Sequence, residues 1–274
     1  MNGSLQRALK PVRPTSACGT AVLGAALLTV ALQIPYPLVS DDMQRVLTIS
    51  SVLSFSVASV LHAFDSRGVR AAVALVVVCA GGGVLAEAVG WRTGVPFGNY
   101  RYHDTLGVKV LGVPVVVAMA WAMMGWVALL GGRRVVERLG LTGSKATVVV
   151  GVIGSLVLVT WDLFLDPQMV DAGHWRWMAT PGPSLNGIPV VNSVGWFIVG
   201  ALMVGVLHDL VPTDRRPGRS DVVMWFLLGW TWFSEWFGHL VFFGRPTVAL
   251  AGGVAMTATL AVVAKPELLR RAAR

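Results

Sequence analysis

Ala146-Thr147-Val148-Val149-Val150-Gly151-Val152-Ile153-Gly154-Ser155-Leu156-Val157-Leu158-Val159-Thr160-Trp161-Asp162-Leu163-Phe164 is a run of 19 residues with one charge, Asp162, near its far end. At about 1.5 Å per helical residue such a run spans roughly 28 Å, close to the hydrocarbon thickness of a bilayer. A second carboxylate, Asp166, follows one helical turn later, so the run reads as a membrane helix whose end carries chemistry.

Blocks of the same kind recur along the chain and predict helices at about 18–36, 44–64, 69–89, 110–131, 146–164, 191–211, 221–243 and 246–264. Only Gly244-Arg245-Pro246 separates the last two, and merging them would give seven spans instead of eight. Charged residues make up 13% of the 274, about half the share of a soluble domain, which leaves too little polar surface to solvate a globule. The fold class is therefore an all-α polytopic membrane helix bundle. Its organisation reads as an N-terminal tail at 1–17, one transmembrane domain at 18–264 and a basic tail at 265–274. Arg7, Lys10 and Arg13 before the first apolar run mimic a signal peptide, but the run ends in Gln33-Ile34-Pro35-Tyr36-Pro37 with no Ala-x-Ala site and reads as a first span.

With eight spans, 16 of the 22 Lys and Arg residues fall on one side, in the tails and the loops around 67–70, 133–145 and 215–219. The positive-inside rule then puts both termini in the cytoplasm of a multi-pass protein of the cell membrane. The net charge of +8 is spread over these short loops with no aromatic-basic interleaving, so nucleic acid is not an expected partner. Cys18 and Cys79 form no metal-ligand or disulfide pattern. No internal repeat is read along the chain.

The two long loops on the outer side, 90–109 and 165–190, mix aromatics with Gly, Pro, His and carboxylates, a composition suited to ordered caps over the bundle. The ionisable residues inside spans gather toward the same side. They are Glu87 near the end of the third helix, Asp162 and Asp166 at the end of the fifth, Glu235 and His239 on one face of the seventh, and Asn192 at the start of the sixth. A carboxyl group kept from water among tryptophans favours its neutral form, which suits it to donate a proton. The segment from Trp225 to Phe237 is rich in rings whose faces can stabilise a cation. The same residues have plainer readings. Tryptophans gather at membrane interfaces in any case, and Glu235 with His239 also reads as a polar clasp between helices.

The five histidines form no cluster of the di-iron type, and no phosphate-binding or dinucleotide motif is present. The inventory suits acid–base chemistry on a lipid-soluble substrate without metal or cofactor.

Glu87-Ala88-Val89-Gly90-Trp91-Arg92-Thr93-Gly94-Val95-Pro96-Phe97-Gly98-Asn99-Tyr100, with Tyr102-His103, Leu106-Gly107 and Leu111-Gly112-Val113-Pro114, resembles the carotenoid biosynthesis membrane proteins of the carotenoid 1',2'-hydratase family, typified by the hydratases of γ-carotene and bisanhydrobacterioruberin. Asp162-Leu163-Phe164-Leu165-Asp166-Pro167, Trp175-Arg176-Trp177, Gly187-Ile188-Pro189 and Asn192-Ser193 with Gly195-Trp196 resemble the same family, which covers residues 80–200 most strongly. The resemblance implies a cofactor-independent enzyme of carotenoid biosynthesis, acting with other enzymes of that route, that adds water across the terminal C=C of an acyclic carotenoid to give a tertiary alcohol. Such a reaction needs a neutral acid, a dry aromatic lining and a positioned water. Asp162 or Asp166 is then the expected acid, with Glu87 as rival, and Glu235 and His239 are expected to hold the water. Asn99 and Asn192 are expected to orient groups, Trp91, Trp161, Trp175, Trp232 and Trp236 to line the site, and Tyr100 and His103 to contact substrate. End-group cyclisation starts with the same protonation and is the nearest alternative. A non-enzymatic isoprenoid carrier or scaffold is the alternative from another class.

Overall fold

The structure, a computed structural model, describes residues 16–179, 181–266 and 268–269, so most of the two basic tails lies outside the described residues. Eight long helices run through the described residues: α1 Ala17–Gln33, α2 Asp41–Arg67, α3 Val69–Thr93, α4 Val115–Leu139, α5 Gly143–Asp171, α6 Val190–Leu210, α7 Val222–Val241 and α8 Pro246–Ala264. Seven of them are long and apolar enough to cross a membrane by length and composition; α7 is the exception, and its Trp and His residues lower its hydropathy. The expected all-α membrane bundle is what forms. The turn at residues 242–245 keeps α7 and α8 separate, and Leu202, Leu250 and Val254 are among the large apolar side chains exposed on the bundle's outer surface, where lipid is the natural solvent.

Several helix boundaries differ from expectation, α4 running on to Leu139 instead of 131, and two of the differences bear on the site. Helix α4 starts at Val115 rather than near 110, because Lys109–Val110 (β2) and Val113–Pro114 (β3) pair as a hairpin through Leu111 and Gly112 at φ 53° and 85°. Helix α5 continues through Pro167 to Asp171, so Asp166 lies inside the helix and the second outer loop begins at Ala172, not at 165. A proline there forfeits little more than the bond to the Leu163 carbonyl, and the last turn carries the helix past it.

The two outer loops are tied to each other. Tyr100–Tyr102 (β1) pairs antiparallel with Trp175–Trp177 (β4), with Arg101 opposite Arg176. Flanking this ladder, His103 N–H donates to the His174 carbonyl and Met178 N–H donates to the Asn99 carbonyl. The pattern is symmetric, and the symmetry extends much further. Residues 69–135 of α3–β1–hairpin–α4 have mates 75 positions later, at 144–210 of α5–β4–hairpin–α6, without a gap: Glu87 with Asp162, Tyr100 with Trp175, Arg101 with Arg176, Tyr102 with Trp177, Pro114 with Pro189 and Trp121 with Trp196. The second hairpin, Ser184–Leu185 (β5) with Ile188–Pro189 (β6), turns through Asn186 and Gly187 at φ 53° and 84°, nearly the values at Leu111 and Gly112. Both copies also tie the helix start back to the hairpin, Val115 N–H to the Val108 carbonyl and Val190 N–H to the Pro183 carbonyl.

The expectation of no internal repeat is thus overturned. Few mates are identical, because most positions share only apolar character, and the repeat is carried by backbone geometry and a few aromatic and glycine positions. Each copy holds two spans and so keeps the same direction, which sets the pseudo-two-fold axis along the membrane normal. Trp121 and Trp196 stack at 4.1 Å, at the contact between copies.

At the opposite end from the caps, the 211–221 loop is clasped to α2. Arg67 donates to both oxygens of Asp221 at 3.1 and 3.2 Å, and Trp126 Nε1 donates to His62 Nδ1 at 2.9 Å.

Candidate active site

Beneath the β1–β4 ladder lies a cavity of about 80 Å³ lined by groups from both copies of the repeat, among them Glu87, Asp162, Asp166 and Asn192. All four are buried. The alternation of side chains along a strand explains how the caps reach it. Tyr100 and Tyr102 share one face of β1, and Trp175 and Trp177 share one face of β4, so all four rings point down onto the helix ends.

Each strand crowns a carboxyl group of its own copy. Tyr100 and Tyr102 both donate their hydroxyls to Glu87 Oε2, the latter at 2.8 Å, and Trp121 Nε1 donates to Oε1 at 3.2 Å. Burial foremost, and then the Glu87 carboxyl, push both phenols well above the ordinary tyrosine range, so they remain donors at any working pH. In the second copy Trp175 and Trp177 donate to Asp166 Oδ1 at 2.6 and 3.1 Å. The mate of Glu87 is Asp162, and there the symmetry breaks. Asp162 accepts from Asn192 Nδ2 at 2.9 Å, and the same amide donates to Asp166 Oδ2 at 2.7 Å. Glu87 and Asp166 thus accept three donors each, whereas one hydrogen bond to Asp162 is found among the described residues.

Apart from Thr48, whose hydroxyl donates to the Gln44 carbonyl, the remaining lining is apolar: Phe97, Leu106, Val116, Trp161, Leu165, Met169 and Trp196 close the sides. Phe97 fits only because Gly90 and Gly195 have no side chain, since a Cβ on either would lie within 2.8 Å of its ring.

The expected site residues divide into three groups. Glu87, Asp162, Asp166, Tyr100, Trp161, Trp175 and Asn192 meet in this cavity. Glu235 lines a neighbouring cavity of about 390 Å³, and His239 is fully buried behind it, 3.7 Å from the Glu235 carboxyl and between the rings of Phe164 and Phe243. The third group belongs to neither cavity. Trp91 Nε1 donates to the Leu111 carbonyl and supports the first hairpin, and Asn99 donates to the Ala179 carbonyl at the surface. His103 contacts the Gly173 carbonyl. Trp232 donates to Thr257, and Trp236 packs against Gly253, both between α7 and α8. Tyr102, Trp177, Trp121 and Trp196 line the cavity and were not singled out from sequence. The period of two in Tyr100-x-Tyr102 and Trp175-x-Trp177 was the available signal.

The family profile described as carotenoid biosynthesis protein matches residues 46–264, which include the whole of this site. The chain belongs to the carotenoid biosynthesis protein family. Over 212 residues it is 31% identical to the bisanhydrobacterioruberin hydratase of Haloarcula japonica, covering 72% of this chain and 66% of that relative, just under two thirds of its length. It is also 36% identical over 135 residues to the lipoprotein signal peptidase of Methylobacterium sp. (strain 4-46), covering 49% of this chain and 68% of that protein. No solved structure matches the chain significantly. This member of the carotenoid biosynthesis family is thus a multi-pass membrane protein, similar to a protein named as a hydratase.

Proposed function

We propose that the protein is a carotenoid 1',2'-hydratase of the cell membrane, with both termini cytoplasmic, that converts the terminal double bond of an acyclic carotenoid end into a tertiary alcohol. The observation that carries this reading is the unequal support of two mated carboxyl groups facing one apolar cavity. Glu87, with three donors, is the better supported of the two as an anion, and Asp162, with one, is the better placed to carry a proton. Asp166 accepts from Asn192 and so holds its amide against Asp162.

In the proposed reaction the O–H bond of Asp162 breaks as its proton joins the less substituted alkene carbon, leaving a tertiary cation on the neighbouring carbon. Trp161, Trp175 and Trp196 offer ring faces to that charge. A water attacks the cation, and its surplus proton passes to Glu87. Return of that proton to Asp162 restores the site, so the net change is one alkene and one water to one alcohol. Glu87 takes the water-handling role expected of Glu235 and His239, because it lines the same cavity as Asp162 and they do not.

A peptide-cleaving role, raised by the name of the second relative, is disfavoured by the lining. A peptide backbone placed among these apolar side chains would leave its amides unpaired, at about 1–3 kcal/mol each. Cyclisation of the end group would need an internal alkene to reach the cation in place of water. Expression in a host that accumulates lycopene, with mass analysis of the extracted pigment, separates these readings. Hydration adds about 18 mass units per modified end, cyclisation adds none, and unchanged lycopene in a host making folded protein would contradict both.

A further inference from the structure

The larger cavity is bounded by α1, α2, α5 and α7 and shares a wall with the smaller one, formed by Thr48, Val52, Trp161, Leu165 and Met169. Most of its lining is aromatic or aliphatic, which suits a hydrocarbon chain. It also holds polar groups that a hydrocarbon would not use. Gln168 lines it, and the Gln168 side-chain oxygen is buried with no hydrogen-bond partner. Glu235 stands on the same wall, with the wholly buried His239 behind it 3.7 Å from its carboxyl. Native interiors rarely leave such an atom unpaired, and the place of Gln168 Oε1 on the cavity wall points to a ligand that supplies the missing donor. By contrast Gln33, at the cavity's other end, is already satisfied by Trp230 Nε1 at 2.7 Å.

We infer that the larger cavity is a binding site for an acyclic isoprenoid chain bearing an alcohol, whose hydroxyl donates to Gln168 Oε1 beside Glu235. The site is separate from the carboxyl pair and lies across the Trp161 wall from it. A chain of this kind enters from lipid between α1 and α7, where Ile34, Leu38 and Phe237 are exposed. The inference rests on the hydratase reading for the chemical class of the ligand, but binding tests it independently of turnover.

The test measures quenching of tryptophan fluorescence in the purified full-length protein by two polyenes, lycopene and lycopene hydrated at one end. The wild type is expected to bind the alcohol about tenfold more tightly, the value of one buried hydrogen bond. Gln168→Leu should remove that preference and leave lycopene binding within about twofold, and Ser234→Trp, which fills the cavity, should weaken both ligands by about tenfold or more. If Ser234→Trp fails to fold, Thr231→Phe fills the same space. Equal affinities in the wild type, a preference that survives Gln168→Leu, undiminished binding when the cavity is filled, or displacement of both polyenes by bilayer phospholipid would each overturn the inference. Turnover measured on the same samples keeps the two readings apart: a preference without hydration leaves the site standing and removes the hydratase, and hydration without a preference does the reverse.

Discussion

Trp121 and Trp196 stack face to face, ring centroids 4.1 Å apart and planes 11° apart, and they are mates across the pseudo-two-fold axis of the duplicated core. Trp121 also donates its indole N–H to Glu87, so the contact that joins the copies orients one of the two carboxyls proposed to react. The mated carboxyls of the two copies are Glu87 and Asp162. Placing Asp166 and Asn192 where the first copy has Trp91 and Val117 makes them unequal.

The unequal pair predicts unequal mutants. Asp162→Asn removes the proton donor while keeping the bond from Asn192 within reach, and should lower hydration by about 10²–10⁴ with the fold intact. Asp162→Glu should recover part of that loss. Glu87→Gln should lower the rate to a similar extent, and the double variant should be little worse than either single one, since the two groups act in one cycle. Rates measured on purified protein with folding checked by circular dichroism decide the matter.

Positioning residues should show smaller effects. Tyr102→Phe removes one of three donors to Glu87 and should cost about tenfold in rate, the usual magnitude for a bond to a charged acceptor. Trp232→Phe, which breaks a bond to Thr257 between α7 and α8, should leave the rate within about threefold and lower stability by about 1 kcal/mol. A rate loss for Trp232→Phe that exceeded that for Tyr102→Phe would contradict the assignment.

Duplication was hard to see in the sequence, although it organises the site. Spans and loops were legible because lipid demands long apolar runs, and the gathering of Glu87, Asp162, Asp166 and Asn192 followed from the directions of the helices. Partners were not legible. Glu235 and His239 share the outer layer with the carboxyls, yet depth in the membrane does not report position around the bundle, and α7 packs on the far side of Trp161. Trp91 and His103 carry the look of site residues because they lie in a motif, but Trp91 sits on α3 and supports the first hairpin, and alternation along β1 turns only Tyr100 and Tyr102 inward. The helix predicted to end at 164 runs about two turns further, to Asp171, and so takes in Asp166.

The outer cap should be acid-sensitive. His174 accepts or shares a hydrogen bond with Thr105 Oγ1 at 2.8 Å, and its ionisation is disfavoured first by burial and then by the charge of Arg45. A histidine whose folded value lies below its unfolded one takes up a proton more readily when unfolded, so stability falls as pH drops through and below the ordinary histidine range near 6.5. Thermal unfolding should therefore come at a lower temperature at pH 5 than at pH 7.5, and His174→Gln should flatten the difference.

At the other end, Asp221→Ala would leave Arg67 buried and unpaired. A loss of about 3–5 kcal/mol is expected, with the rate per folded molecule unchanged. Asp221→Asn should lose less. Denaturation in detergent together with turnover measured on the folded fraction provides the check.

Hydration carried out in heavy water with purified protein tests the central claim most directly. The account predicts that, after the hydroxyl has exchanged back in ordinary water, each modified end is heavier by roughly 19 mass units, one carbon-bound deuterium plus one hydroxyl, and that Asp162→Asn forms none of this product. A product lacking carbon-bound deuterium, or full activity in Asp162→Asn, would contradict it.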